Sequence, residues 1–164
     1  MPATIEHLRA LERRRAALAQ MLSSPLPEGW PAFPEAVPFT REQLQQHPEQ
    51  LGWWMHFFRE TGTGLLVGSG GFDGPPRRRT VEIGYEIAPA FRGRRLGTAA
   101  AAALVQKARV SGVVDTVVAR TLAEENASSR VLAALGFQRT GEEEEEEEED
   151  PGNGAVWRWA LPLA

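Results

Sequence analysis

The chain has 164 residues, enough to bury the core of one domain without covalent cross-links, and we expect a single domain over residues 1–164. It has no cysteine, which excludes disulfides, thiol nucleophiles and thiolate metal sites, and leaves the cytoplasm as the default location. The net charge of −4 combines an unbroken acidic run at 142–150 with an otherwise mildly basic chain. Arginine clusters at 77–79 and 92–95 suit a small anionic ligand and do not by themselves indicate nucleic acid.

The first part of the chain is predicted to be helical. Residues 1–22 space leucine and isoleucine at helical intervals and predict one amphipathic helix, whose frequent charges exclude a signal peptide or a membrane span. Prolines are frequent in residues 23–38 and predict an ordered loop that carries Trp30 and Phe33 onto an apolar surface or across a cleft. A short helix is predicted to follow from about Thr40, whose hydroxyl is a suitable cap.

After the first fifty residues the hydrophobic period changes to two. Residues 52–60 and 64–72 flank a turn rich in glycine and threonine and predict an antiparallel hairpin. A third strand is predicted over residues 80–88. Successive side chains of a strand point to opposite faces, so this strand places Glu82 and Glu86 together on the face opposite its larger apolar residues.

The last third of the chain alternates helix and strand. An alanine-rich helix is predicted over 98–110, a buried strand over 113–121, and a helix over 126–135 that ends at a glycine. Two strands close the chain, and the acidic run between them, 142–150, is expected to be a mobile, solvated loop because its charges repel one another. This order of elements predicts an α/β or α+β sheet with a parallel central step.

The connection between the third strand and the alanine-rich helix combines glycine with arginine over residues 89–97. The first amides of a helix have no backbone partners and, together with the helix dipole, they attract an anion. Gly93 and Gly97 let the backbone approach a ligand, and the arginines add positive charge, so a phosphate group fits here. Neither a Walker loop nor a Rossmann glycine pattern is present, and an ordinary basic turn is the alternative for this segment alone.

Two segments resemble signatures of the GNAT superfamily of acyl-CoA-dependent N-acetyltransferases. Residues 92–97 resemble its pyrophosphate-binding motif R/Q-x-x-G-x-G/A, with Arg95 where the family has its middle glycine. The segment TLAEENASSRVLAALGF resembles its second signature, with Ser128 on the family serine and Asn126 one place from the usual asparagine. The resemblance covers roughly residues 64–161 and looks closest to the branch of ribosomal-protein N-terminal acetyltransferases.

The resemblance implies a mixed, mostly antiparallel sheet with a splayed parallel pair of central strands, flanked by helices. It also implies that acetyl-CoA is the cosubstrate and lies between the strands predicted at 80–88 and 113–121. The pantetheine arm would pair with backbone at Ile87 and Ala88, and Asn126 and Ser128 would lie beside that arm. The pyrophosphate would rest on the loop and first helical turn formed by Arg92, Gly93, Arg94, Arg95, Leu96, Gly97 and Thr98.

Transfer of an acetyl group to an amine requires a base and an acid. Glu82 and Glu86 lie about 13 Å apart along one strand face, and either is a candidate base, directly or through water, with a slight preference for Glu82. Alternatively both are solvated or ion-paired carboxylates. Many family members use a tyrosine as the acid, but Leu132 stands at that position here, which leaves Ser128 as the candidate. Ser128 could instead cap the helix that follows, and Asn126 could orient pantetheine or be that cap itself.

The resemblance therefore predicts transfer of acetyl from acetyl-CoA to a primary amine, in a protein N-terminus or a small molecule, by direct attack in a ternary complex. A catalytically silent acyl-CoA-binding or regulatory module is the alternative, and an interaction protein whose acidic run docks a basic partner is a third. No spacing of His, Asp or Glu suggests a metal, and a lone histidine such as His56 is more often packed than catalytic. Core positions or homodimer contacts are expected for Trp53, Trp54, Trp157 and Trp159.

Overall fold

The structure is a computed structural model that describes residues 1–144 and 155–163. Along the chain the helices and strands occur in the order α1 (Ile5–Arg13), α2 (Arg15–Leu22), α3 (Ala36–Gln46), β1 (Met55–Arg59), β2 (Leu66–Phe72), β3 (Thr80–Ile87), α4 (Leu96–Ser111), β4 (Thr116–Leu122), α5 (Ala127–Ala134), β5 (Gln138–Glu144) and β6 (Ala155–Pro162). Short 3-10 turns occupy Pro48–Gln50 and Pro89–Phe91.

The strands form a six-stranded sheet in the order β1-β2-β3-β4-β6-β5. Strands β3 and β4 run parallel, and their pairing covers the first three residues of each, Thr80 to Glu82 against Thr116 to Val118. The pairs β1 with β2, β4 with β6 and β5 with β6 are antiparallel. This arrangement confirms the predicted mixed, mostly antiparallel sheet with a parallel central pair.

The chain divides into two compact units. The first unit comprises Met1–Pro75 and Tyr85–Leu96, and the second comprises Pro76–Gly84 and Gly97–Ala164. The single domain expected over residues 1–164 stays a prediction, and so does a homodimer. Of the helices within the described residues, none is long and apolar enough to cross a bilayer.

The prediction of one helix over residues 1–22 is wrong, because Arg14 is extended, with φ −168° and ψ 145°, and separates α1 from α2. Leu8 belongs to α1 and Leu18 to α2. The break lets both side chains be fully buried in the first unit. The core of this unit consists of Ala3, Leu8, Leu18, Leu22, Trp30, Val37, Leu44, Phe57, Leu66 and Ala88.

Hydrogen bonds of two backbone carbonyls and of the Trp30 side chain hold the proline-rich loop in place. The Trp30 indole is buried, and its Nε1 donates a hydrogen bond to Ser69 Oγ at 2.9 Å. The Arg15 guanidinium donates to the carbonyls of Trp30 and Pro27. Of the two predicted positions, apolar surface or cleft, Trp30 therefore takes the first, whereas Phe33 is 64% exposed.

The helix predicted from about Thr40 begins earlier, at Ala36, so Thr40 is buried within α3 and does not cap it. The reason is that Pro38 lies in the first turn of α3, where a missing amide hydrogen breaks no helical hydrogen bond. The prediction of a loop up to residue 38 is therefore too long.

The predicted hairpin is confirmed as β1 and β2, which pair from Met55 with Gly71 to Arg59 with Leu66. The expected strand position of Trp53 and Trp54 is wrong, because both precede β1. The Trp54 indole Nε1 donates to Gln50 Oε1 at 2.9 Å, and this local contact favours the turn over an extended strand.

In the second unit, Trp159 is a core residue, and its indole Nε1 donates to Thr121 Oγ1 at 3.0 Å. Trp157 is half-buried, and the guanidinium of Arg139 lies 4.1 Å from the centroid of its ring. The core prediction is therefore confirmed for Trp159.

The prediction of a solvated loop over 142–150 is wrong for its first three residues, because 142–144 belong to β5 and pair with 155–157 of β6. Backbone hydrogen bonds of the strand ladder offset the repulsion on which the prediction was based. The remainder of the predicted loop, residues 145–150, lies outside the described residues.

Candidate active site

Glu82 forms a two-point ion pair in the second unit. Its Oε1 and Oε2 accept hydrogen bonds of 3.1 Å each from Nε and Nη2 of Arg120, on the neighbouring strand β4. A bidentate contact between guanidinium and carboxylate is among the strongest ion-pair geometries. Of the two roles left open for Glu82, base or ion-paired carboxylate, the observed geometry corresponds to the second.

Glu86 has a different environment in the first unit. Its Oε1 accepts a hydrogen bond of 2.9 Å from the backbone amide of Ala32, in the proline-rich loop. Among the described residues, no ion pair involves Glu86. The contact links the loop to β3 through one oxygen of the carboxylate.

The backbone at the end of β3 is already engaged in hydrogen bonds. The Ala88 amide donates to Val67 O at 2.8 Å, and the Ala88 carbonyl accepts from the Phe91 amide at 2.9 Å. The Ile87 carbonyl accepts from Nε of Arg92 at 3.1 Å. An extended ligand that pairs with the Ile87 carbonyl would therefore share it with the Arg92 side chain or displace that side chain.

The glycine and arginine turn follows directly, and it adopts left-handed backbone at two positions. Gly93 has φ +80° and Arg95 has φ +60°. Arg95 therefore takes a backbone conformation that favours glycine, at the position where the resemblance places a glycine. Arg92, Gly93, Arg94 and Arg95 are exposed, while Leu96, Gly97 and Thr98, in the first turn of α4, are half-buried.

Arg94 makes two contacts within the first unit. Its Nη1 lies 4.0 Å from Glu60 Oε2, and its guanidinium lies 5.6 Å from the centroid of the Phe91 ring. Both contacts are exposed and weak, so they leave the side chain able to turn toward an anion.

The start of α5 decides between two readings of Asn126 and Ser128. The Asn126 side chain accepts from the Ser129 amide at 2.9 Å, and Ser129 Oγ accepts from the Asn126 amide at 2.9 Å, which is a reciprocal capping box. Asn126 is thus the N-cap, and the serine that takes part is Ser129, which the sequence reasoning missed. The capping alternative for Ser128 is wrong, because its side chain is exposed and its hydroxyl forms no hydrogen bond with any described residue.

The remaining candidates are structural. His56 is buried, and its Nε2 lies 2.8 Å from the Gly52 carbonyl oxygen, so the histidine is packed as expected. Leu132, at the position of the family tyrosine, is fully buried. Within residues 1–144 and 155–163, no group of three His, Asp or Glu side chains is placed to hold a metal ion.

Arg120 is a further residue at this site that the sequence did not indicate. Its contact with Glu82 spans 38 residues of sequence and depends on the register of β3 against β4. Alternation along one strand shows which face a side chain takes, but it contains no information about the partner strand.

A family model for the acetyltransferase (GNAT) domain matches residues 5–138 of the chain. Among curated protein sequences, none matches. Solved structures do match in fold, at 14–22% sequence identity, and at this identity they establish the fold alone.

Three of these structures have sequence identities of 14%, 18% and 22% to this chain. A variant of spermidine N-acetyltransferase SpeG from Vibrio cholerae is 14% identical, with a TM-score of 0.70, over 99% of this chain and 94% of its own. The ribosomal-protein-alanine N-acetyltransferase from Brucella melitensis is 18% identical, with a TM-score of 0.66, over 99% and 98%. Protein yncA from Salmonella typhimurium, solved with acetyl-CoA, is 22% identical, with a TM-score of 0.64, over 78% and 74%.

The family model covers most of the chain, including β3, the glycine and arginine turn and α5, and the strand order agrees with the fold of these structures. The chain belongs to the GNAT acetyltransferase family.

Proposed function

We propose that this protein transfers the acetyl group of acetyl-CoA to a primary amine by direct attack of the amine on the thioester. The observation that carries the proposal is the turn over residues 92–97, where the backbone is left-handed at Gly93 and Arg95 immediately before α4. It combines the free amides of a helix start with glycine-type backbone and several positive charges. The family assignment agrees with this proposal.

The backbone amides between Arg92 and Thr98 are proposed to hold the pyrophosphate of the coenzyme. Bound acetyl-CoA supplies an activated acetyl group as a thioester. The side chains of Arg94 and Arg95 add positive charge beside that position, and both are exposed. Arg92 has a separate position in this proposal, because its Nε donates to the Ile87 carbonyl, with which the extended arm would also pair.

We propose Glu86, and not Glu82, as the base. Both oxygens of Glu82 accept hydrogen bonds from Arg120 in a two-point ion pair, which holds this carboxylate against β4. Glu86 keeps one oxygen fixed by the Ala32 amide while the other can take a proton from the attacking nitrogen, directly or through water.

Ser128 is proposed as the acid. Its hydroxyl does not cap α5, so it can donate a proton to the sulfur as the C–N bond forms and the C–S bond breaks. Because the side chain is exposed, solvent can restore that proton. The buried Leu132 cannot take this role, since it has no proton to give.

The proposed acceptor is a primary amine in a protein N-terminus or a small molecule. The reaction is proposed to take place in the cytoplasm. Relatives of the same fold include enzymes named for each acceptor class, spermidine and ribosomal-protein alanine.

The test is steady-state release of free coenzyme thiol from acetyl-CoA with a panel of amines, together with direct measurement of acetyl-CoA binding. Gly97→Glu, which puts a carboxylate in the first turn of α4, should abolish binding. Ala103→Glu, exposed in the same helix, adds the same charge away from the turn and should bind normally.

Binding by the wild type without thiol release for any amine would identify the silent acyl-CoA-binding module in place of an enzyme. Equal affinity of the wild type and Gly97→Glu would remove the proposed pyrophosphate site.

A further inference from the structure

An exposed phenylalanine directly follows the residue that contacts Glu86. The Ala32 amide donates to Glu86 Oε1 at 2.9 Å, and Phe33 is the next residue of the proline-rich loop. Because consecutive Cα atoms are about 3.8 Å apart, the Cα atom of Phe33 lies within about 8 Å of that carboxylate oxygen. Phe33 is 64% exposed. The loop therefore displays an aromatic side chain close to the carboxylate of the proposed base.

The backbone that carries this side chain is held in place. The Phe33 carbonyl accepts a hydrogen bond from the Ala36 amide at 3.1 Å, and the Pro34 carbonyl accepts one from the Val37 amide at 3.1 Å. Pro34 also restricts Phe33 itself, because a residue that precedes proline is confined mainly to extended backbone. The position of the side chain is thus set before a ligand binds, which lowers the entropy cost of binding.

The rest of the loop is anchored around the end of β3. The hydrogen bond from Trp30 to Ser69 fixes it to β2, and the contact with Glu86 fixes it to β3. A Cβ atom added at Gly29 would lie 3.3 Å from Cγ of Pro89, so the loop also packs closely against the turn that follows β3. These three contacts hold the loop beside the carboxylate of Glu86.

The Phe33 ring differs in its surroundings from another exposed phenylalanine of the same unit. Phe39 is 51% exposed, and its ring packs edge-on against Trp54, with 5.8 Å between the centroids. Within the part of the chain that the structure describes, the ring of Phe33 contacts no aromatic ring and no guanidinium group. Its apolar surface is therefore available to a bound molecule, and covering such a surface is favourable.

We propose that Phe33 determines acceptor specificity by packing against an apolar group next to the reacting amine. The preferred acceptors are then small primary amines with an aromatic or aliphatic body, and not polyamines. This inference rests on the proposed acetyltransferase function with Glu86 as its base. Spermidine is disfavoured because covering the ring would remove water from its further ammonium groups, which is costly.

The test compares acceptors that differ in their apolar group. Values of kcat and KM are measured for 2-phenylethylamine, for ethylamine, which lacks the phenyl group, and for spermidine. The proteins are the wild type, Phe33→Ala, Phe33→Leu and Phe39→Ala. Phe39→Ala is the matched control, because it removes the same ring from an exposed position where the ring already has a partner within the chain.

The wild type should prefer 2-phenylethylamine over ethylamine. Phe33→Ala should reduce this preference about tenfold, mainly through KM, as expected for the loss of an aromatic contact and of the apolar surface that it covers. Phe33→Leu should restore most of the preference, and Phe39→Ala should keep it. A preference that Phe33→Ala leaves intact, or a wild type that favours ethylamine or spermidine, overturns the inference while the proposed function stands.

A second measurement separates the two proposals. Calorimetric binding of 2-phenylethylamine to the protein without acetyl-CoA requires no turnover, and it should weaken in Phe33→Ala but not in Phe39→Ala. If the wild type acetylates no amine, the proposed function fails, and this binding experiment alone then decides whether Phe33 recognises an apolar amine. Equal affinity of the wild type and Phe33→Ala would overturn the inference.

Discussion

Glu82 and Arg120 join β3 to β4 through two hydrogen bonds of 3.1 Å. In the pairing of these two strands, Glu82 is the Cα partner of Val118. The side chains are 25% and 42% exposed, so the pair is only partly shielded from solvent. A carboxylate with both oxygens bound to one guanidinium is better suited to hold that group in place than to exchange protons.

The two glutamates of β3 should therefore respond differently to amidation. Glu86→Gln can still accept a hydrogen bond from the Ala32 amide but cannot take a proton, and we expect kcat to fall about 10²–10³-fold. Glu82→Gln removes the ion pair with Arg120 and should lower kcat less than Glu86→Gln does. The measurement is steady-state kinetics over pH for both variants. The opposite order of losses in kcat would return the role of base to Glu82.

The fold and the glycine and arginine turn could be predicted from the sequence because both depend on local patterns. The alternation over β3, the alanine-rich α4 and the glycine and arginine segment between them are each contained within a few residues of chain. The break at Arg14 was not readable in this way. The segment has no proline or glycine that would end a helix there, and the residue at the break is an arginine with an extended backbone.

Only part of the candidate site could be predicted from the sequence, for a similar reason. Glu82 and Glu86 were identified, but their partners Arg120 and Ala32 come from distant parts of the chain and depend on strand register and loop position. Ser129, by contrast, carried a usable signal. Its spacing of three residues from Asn126 is that of a capping box.

Arg95 should be replaceable by glycine with a gain in stability. Its φ of +60° costs a residue with a Cβ atom about 1–2 kcal/mol. The greater conformational freedom of glycine in the unfolded chain offsets part of the stability gained by the replacement. We expect the free energy of unfolding of Arg95→Gly to rise by about 0.5 kcal/mol in urea titrations. The control is Arg94→Gly, which relieves no left-handed backbone and should be destabilising. A lower stability of Arg95→Gly would mean that its side chain makes contacts that outweigh the backbone cost.

The two serines of α5 should separate catalysis from stability. Ser129→Ala removes a buried hydroxyl from the capping box and should lower the free energy of unfolding by about 1 kcal/mol. Ser128→Ala alters an exposed hydroxyl and should leave stability unchanged, while kcat falls more than acetyl-CoA affinity. Chemical denaturation and steady-state kinetics on both variants test this. An unaltered kcat in Ser128→Ala would exclude its role as the acid.

His7 should make stability depend on pH. Its Nδ1 accepts a hydrogen bond from the Thr4 amide at 3.1 Å, which requires the unprotonated nitrogen, and burial lowers the pKa of His7 below its usual 6.5. The unfolded chain therefore binds the proton at a higher pH than the folded chain. The free energy of unfolding should fall as pH drops below about 6.5. The decrease should not exceed the contribution of one capping hydrogen bond, about 1 kcal/mol.

His7→Gln is the matched control for this effect, because glutamine accepts the same capping hydrogen bond and does not titrate. Urea unfolding of both proteins at pH 7.5 and pH 5.5 should show the larger loss of stability in the wild type, and the other histidines contribute equally to both proteins and cancel in the comparison. Equal losses would mean that protonated His7 keeps its place at the start of α1, and that the contact with Thr4 contributes nothing to the pH dependence of folding.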